Sequence, residues 1–118
     1  MINGAHVILY STNAEADRAF IRDVLGFAGV DAGGGWLIFK LPPAEIAVHP
    51  TDGLAKHEFY LMCDDIEETL AELRAKGVTI SHSPSDEGWG LLISIKLPSG
   101  ADLSIYQPHH STAHTPKG

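Results

Sequence analysis

Two rhythms of apolar and polar positions alternate along this chain, one of period two and one of three to four, and each occurs twice in the same order. The opening "AHVILYSTN" alternates and is apolar enough for a strand, and it ends where Thr12 or Asn13 can cap a helix. Ala16, Ala19, Phe20, Ile21, Val24 and Leu25 then recur at helical spacing, which predicts a helix over about 13–25 that Gly26 terminates. "FAGVDAGGG" reads as a short edge strand running into a glycine turn. Two more strands, "GWLIFKL" and "AEIAVHP", follow, split by Pro42–Pro43.

The second half repeats this order. "HEFYLMCDD" predicts a strand, and Asp65 with Glu68 three residues later forms a capping-box pattern. Ile66, Leu70 and Leu73 make the apolar stripe of a helix over about 65–76, closed by Gly77. A weak strand near "VTISH", a strong one in "GLLISIKL" and a last one in "ADLSIYQ" complete the half. His6 to Glu58 and Asn13 to Asp65 are each 52 residues apart, while Lys40–Leu41–Pro42 recurs as Lys96–Leu97–Pro98 at 56. Ala44, Glu45, Ile46 and Ala47 match Ala101, Asp102, Leu103 and Ser104 at an offset of 57. The offset drifts through loops, as expected of two diverged copies. A ferredoxin-like domain would put two strands between its helices, but four candidates lie between residues 26 and 64. The pattern therefore predicts an α+β fold of two βαβββ modules within one domain, over about 4–50 and 57–108. Residues 109–118 are expected to form a flexible polar tail.

Charge and composition narrow the function classes. Fifteen acidic against eight basic residues give a formal net charge of −7, with no basic cluster to release counterions, so a nucleic-acid partner is not expected. No apolar run is long enough for a membrane span and no signal sequence is evident, so a cytoplasmic protein is expected. The lone cysteine, Cys63, excludes an internal disulfide framework and lies in the apolar run "FYLMCDD", where it reads as a small buried hydrophobe. No Gly-x-Ser-x-Gly elbow or phosphate-cradling loop occurs, and "GGGW" opens no helix, so it is a turn.

"HVILYSTNAEADRAFIRDVLGF", "CDDIEETLAELRAKGV" and "LPSGADLSIYQP" resemble the vicinal oxygen chelate superfamily, which includes glyoxalase I, extradiol dioxygenases and bleomycin-resistance proteins. The resemblance covers about residues 4–108. It implies that the two modules curl into an open, cup-shaped barrel holding a small molecule or a divalent metal, commonly in a homodimer. It also places the family's metal ligands at His6, Ala47, Glu58 and Ser104. Two of those four positions carry no ligating carboxylate, so no metal cofactor is expected. If a metal is present, His6 and Glu58 would hold it, helped by His49 or Asp102.

Strand alternation gives the cup face independently. Val7 and Leu9 would pack under the helix, leaving His6, Ile8 and Tyr10 facing the cup. Phe59, Leu61 and Cys63 would pack, leaving Glu58, Tyr60 and Met62. Glu45, Ala47 and His49 would share the concave side, as would Asp102, Ser104 and Tyr106. A one-residue slip would exchange Glu58 for His57 and bury a carboxylate, which is costly. His6 and Glu58 are accordingly expected to meet as a polar pair. His82 reads as a loop residue facing solvent. His109, His110 and His114 belong to the tail, and Trp36 and Trp89 to the core or the cup rim.

The expected ligand-binding set is His6, Tyr10, Ala47, His49, Glu58, Tyr60, Met62, Ser104 and Tyr106. It points to a small-molecule-binding protein resembling the bleomycin-resistance type of antibiotic-resistance protein, which sequesters an aromatic or cationic compound. The alternative is a divalent-metal-dependent lyase or dioxygenase with altered ligands.

Overall fold

The computed structural model describes residues 6–45, 47, 50, 52–53, 57–111 and 113. Helix α1 (Ala14–Phe20) starts at Asn13, whose side chain accepts from the Ala16 amide. It continues as a wider π-turn over Ile21–Leu25 and stops at Gly26, whose φ of 75° is the left-handed conformation glycine adopts without strain. Strands β1 (Gly29–Asp31) and β2 (Leu37–Phe39) form an antiparallel hairpin around the glycine turn. Strand β3 (Tyr60–Met62) leads to α2 (Ile66–Ala75), followed by β4 (Ile80–Asp86), β5 (Gly90–Lys96) and β6 (Asp102–Pro108). Three strands lie between the helices, which is not the ferredoxin-like order.

The second module forms as its pattern predicts. Its sheet has the order β3-β6-β5-β4, with β3 parallel to β6 and the other pairs antiparallel. Ile66, Leu70 and Leu73 of α2 bury against Ile93, Ile95 and Leu97 of β5 and its end, and against Leu103 and Ile105 of β6. Asp65 accepts from the amides of Glu67 and Glu68, and the Gln107 side chain of β6 accepts from the Ile66 amide at 2.9 Å. Three of the orphan donors of the helix start are thereby satisfied.

The first module departs from expectation. Residues 6–10 and the described residues of "AEIAVHP" (Ala44, Glu45, Ala47 and Pro50) belong to no strand, while Ile46, Val48 and His49 lie outside the described residues. Val7 and Leu9, expected to pack beneath α1, are exposed. Instead, Phe20 at the end of α1 and Leu25 in the π-turn that follows pack on the core of the second module, which draws this segment's large apolar side chains toward that core. The buried carboxylate of Asp17 fixes this docking by accepting from the Ser99 amide at 3.0 Å and the Ser99 hydroxyl at 2.8 Å. At the far end, Lys76 Nζ donates to the Val24 carbonyl at 3.1 Å, a cation at a helix C-terminus.

His82 also departs from its reading: it is exposed as expected, but it lies on β4. That strand is the sheet edge and carries irregular register between Ile80 and Ser85. An edge tolerates Pro84 because one side of the strand has no ladder to complete.

Candidate functional site: an aromatic cluster ringed by carboxylates

Strand β6 is central in its sheet, and its alternation sends Leu103 and Ile105 to the core and Ser104 and Tyr106 to the opposite face. Parallel pairing with β3 sets Tyr60 opposite Ser104 and Met62 opposite Tyr106. On this face the rings of Tyr60 and Tyr106 meet edge to face, with centroids 5.7 Å apart. Trp89, on the turn between β4 and β5, completes the group at 5.7 Å from Tyr60 and 5.1 Å from Tyr106. Edge-to-face contacts put the positive rim of one ring against the negative face of the next. Trp89 remains substantially exposed, so the cluster has a solvent-facing side.

Carboxylates border the rings. The Tyr60 hydroxyl donates to Glu58 Oε2. That bond, with lesser contributions from burial and from the charges of Glu58, Glu87 and Tyr106, pushes the Tyr60 phenol up to about 12. Burial, and then the Glu45 carboxylate, push the Tyr106 phenol up as well. Both therefore stay neutral hydroxyls at physiological pH. Glu45 comes from the first module, yet its side chain is only 18% exposed. Its Oε2 accepts from the Ala113 amide at 2.7 Å, and its Oε1 lies 4.0 Å from His110 Nε2.

The expected site residues separate into two groups. Glu58, Tyr60, Met62, Ser104 and Tyr106 come together along β3 and β6. Ser104 Oγ shares a hydrogen bond with Ser94 Oγ at 3.1 Å. His6 is exposed and outside any strand, Tyr10 is 91% exposed, and Ala47 is exposed. His49 lies outside the described residues. Among the described residues no hydrogen bond or ion pair joins His6 to Glu58; the bond to Tyr60 takes up Glu58 Oε2 instead. Asp102, another candidate for the concave side, pairs with Lys96 Nζ at 2.8 Å in solvent.

Two participants, one of them expected only at the core or the cup rim, fall outside the expected binding set. Trp89 carried only the signal of an aromatic after a glycine turn. His110 lay in a segment whose polar composition reads as tail, yet its Nε2 is 3.1 Å from the Tyr106 hydroxyl and its ring is tilted over that of Tyr106, with centroids 5.9 Å apart.

Other constellations do less. Ser85 Oγ donates to Glu87 at 2.7 Å, so His82 Nε2, 2.9 Å away, serves it as a donor rather than as a base. That arrangement does not activate a nucleophile. Burial, ahead of the other influences, pushes the Cys63 thiol up, the opposite of an activated thiolate. A depression of about 330 Å³ beside α1 is lined by Glu15, Arg18 and Arg22 among others. Arg22 there is tied to Asp23, and Arg18 lies 4.9 Å over the Trp36 ring.

A catalytic metal centre needs at least three protein ligands with an open position. Of the four places where the resemblance would put ligands, Ala47 has none and the Ser104 hydroxyl is bonded to Ser94. The described residues contain no group of three His, Cys, Asp or Glu side chains placed to hold an ion. The donor set of the described residues does not fit a catalytic metal. None of the helices among the described residues is long and apolar enough to cross a membrane.

Known proteins of this shape are numerous. A lactoylglutathione lyase from Agrobacterium tumefaciens is similar at TM-score 0.65 and 19% identity, covering 89% of this chain and 92% of its own. An antibiotic-binding protein from Streptomyces sp. CB03234 is similar at TM-score 0.62 and 22% identity, with 92% and 99% covered. A glyoxalase/bleomycin resistance protein from the same organism aligns at TM-score 0.58 and 21% identity, over 84% and 95%. At such identities these likenesses establish the fold alone. No curated protein matches the chain. The family model for the Glyoxalase/Bleomycin resistance protein/Dioxygenase superfamily matches residues 4–105, and it is to this superfamily that the chain belongs.

Proposed function

We propose that this protein binds a cationic aromatic small molecule against the cluster of Tyr60, Trp89 and Tyr106 and sequesters it without chemical conversion. The observation that carries this reading is the juxtaposition of three aromatic rings with the carboxylates of Glu58 and Glu45 on one sheet face. Aromatic faces attract cations by their quadrupole, by about 0.5–2 kcal/mol per ring depending on desolvation. The net charge of −7 adds a long-range bias in the same direction and against anionic substrates. The similar antibiotic-binding fold from Streptomyces sp. CB03234 is consistent with a binding role.

The same proposal includes a homodimer. Val7, Ile8 and Leu9 are exposed together, and Val30, Trp36 and Ile38 are exposed on or beside the β1–β2 hairpin. A second copy covering these residues would remove apolar surface and unpaired strand edge from water. A cytoplasmic site of action, where Cys63 stays reduced, completes the proposal.

The test is calorimetric titration with 1-methylquinolinium and with neutral quinoline. The cation should bind more tightly by about tenfold, since one favourable cation–ring contact is worth roughly 1.4 kcal/mol. Replacing Trp89 with Leu should remove most of that preference. Equal binding of the two probes would refute the cationic reading, and sedimentation as a monomer would refute the dimer.

A further inference from the structure

The segment after β6 does not leave the domain at Pro108. The His109 amide donates to the Trp89 carbonyl at 2.9 Å, and His109 Nε2 lies 3.5 Å from Asp86 Oδ1. The next residue turns its imidazole onto Tyr106, and His110 Nδ1 is 2.9 Å from the Ser111 carbonyl. With Nδ1–H donating there, Nε2 of the neutral ring accepts from the Tyr106 hydroxyl. Three residues further on, the Ala113 amide reaches the Glu45 carboxylate, 68 residues away in sequence. The segment thus spans from the second module to the first and covers a carboxylate and an aromatic ring that the cluster would otherwise present to solvent.

The geometry points to an autoinhibitory strap. We propose that residues 108–111, with Ala113, seat the His110 imidazole, a planar nitrogen ring, in the place a cationic aromatic ligand would take between Tyr106 and Glu45, so that ligand must displace it. This rests on the reading of the cluster as a cation site. The strap offers that site what such a ligand would offer: a flat ring against Tyr106 and, through the Ala113 amide, a partly positive N–H group at Glu45. The groups facing His110 are Tyr106 from β6 and Glu45 from the first module. Because the strap is part of the chain, its effective concentration is high even though its individual bonds are weak.

The inference is tested on the full chain in two arms. Without ligand, the Ala113 amide should be protected from hydrogen exchange, and His110→Ala should reduce that protection severalfold. With ligand, His110→Ala should bind 1-methylquinolinium about 3- to 10-fold more tightly than the wild type, the worth of a contact removed from the competing strap. Its affinity for neutral quinoline should change less. In the wild type, adding 1-methylquinolinium should release the Ala113 amide. An Ala113 amide exchanging at the free-peptide rate in the ligand-free wild type would overturn the strap. Equal affinity of wild type and variant for 1-methylquinolinium would overturn the competition while leaving the cation site standing. Binding by neither protein, with Ala113 protected, would overturn the cation-site reading and the competition with it.

Discussion

The bond between Tyr60 and Glu58 makes a quantitative prediction about the site. A phenol that donates to a carboxylate resists ionisation twice over, because the phenolate loses a hydrogen bond and faces a like charge. The Tyr60 phenol is raised from 10.0 to about 12, with the Glu58 hydrogen bond the first cause. Its folded value lies above its unfolded value, so the native state holds the proton more tightly. The resulting stability is fully present below pH 10 and is lost as pH rises from 10 to about 12. A shift of two units would correspond to about 2.7 kcal/mol. The Tyr60 ring is partly open to solvent, so screening reduces this to roughly 1 kcal/mol. The assay is phenolate absorbance against pH, comparing wild type with Tyr60→Phe so that the difference isolates this residue among the three tyrosines. The missing step should centre near pH 12, and Glu58→Gln should move it toward 10. A Tyr60 step near 10 in the wild type, or one indifferent to Glu58→Gln, would show that the two side chains do not meet.

Three further substitutions test the frame that holds this face. Asp17→Ala should destabilise the protein by about 2–3 kcal/mol in urea unfolding, since a buried carboxylate accepting two bonds from Ser99 is removed; a loss under 0.5 kcal/mol would mean that α1 is not anchored there. Gly90→Ala places a Cβ 2.6 Å from the Gln107 carbonyl and 2.9 Å from the Tyr106 ring. It should cost about 1–3 kcal/mol and weaken 1-methylquinolinium binding, whereas unchanged thermal stability would contradict the β5–β6 register. Ile93→Ala empties a position that is 0% exposed and should cost about 2–5 kcal/mol by chemical denaturation; a smaller effect would place the core elsewhere.

The second module was legible because burial there follows local periodicity. Leu103 and Ile105 alternate with Ser104 and Tyr106, and the structure separates them onto the two faces as the pattern says. Ile66, Leu70 and Leu73 do the same at helical spacing. In the first module the signal was ambiguous in kind. "HVILY" is apolar at every position after His6, so its residues could face either way, and nothing local says which surface the neighbouring helix will prefer. Phe20 and Leu25 found the core of the second module, a choice made by residues more than 40 positions away. The strap was invisible for a related reason. Polar composition predicts that a segment can live in water, but His110 and Ala113 are held by Tyr106 and by a carboxylate from the other module. Asp17 carries no local signal of its role, although its bonds to Ser99 lock the first helix onto the "LPSG" turn at 97–100.

The two related phrases "LPPAEIA" and "LPSGADLS" explain how a fold for which the resemblance implies metal ligands can present an uncharged wall. In the resemblance, the matched positions Ala47 and Ser104 would each carry a carboxylate. At the first copy the side chain has shrunk to a methyl group, which can ligate nothing. At the second, Ser104 stands directly opposite Ser94 in the β5–β6 ladder and shares a hydrogen bond with it. A carboxylate at 104 would find no cation in Ser94, and burying it half-exposed beside an aromatic cluster would be costly. The serine pair shares one hydrogen bond and leaves the wall neutral. The negative charge is displaced outward, to Glu58 on the approach to β3 and Glu45 under the strap, both beside the rings. That distribution suits attraction of a positive ring system to an aromatic floor, and it is poorly suited to gripping an ion from several sides.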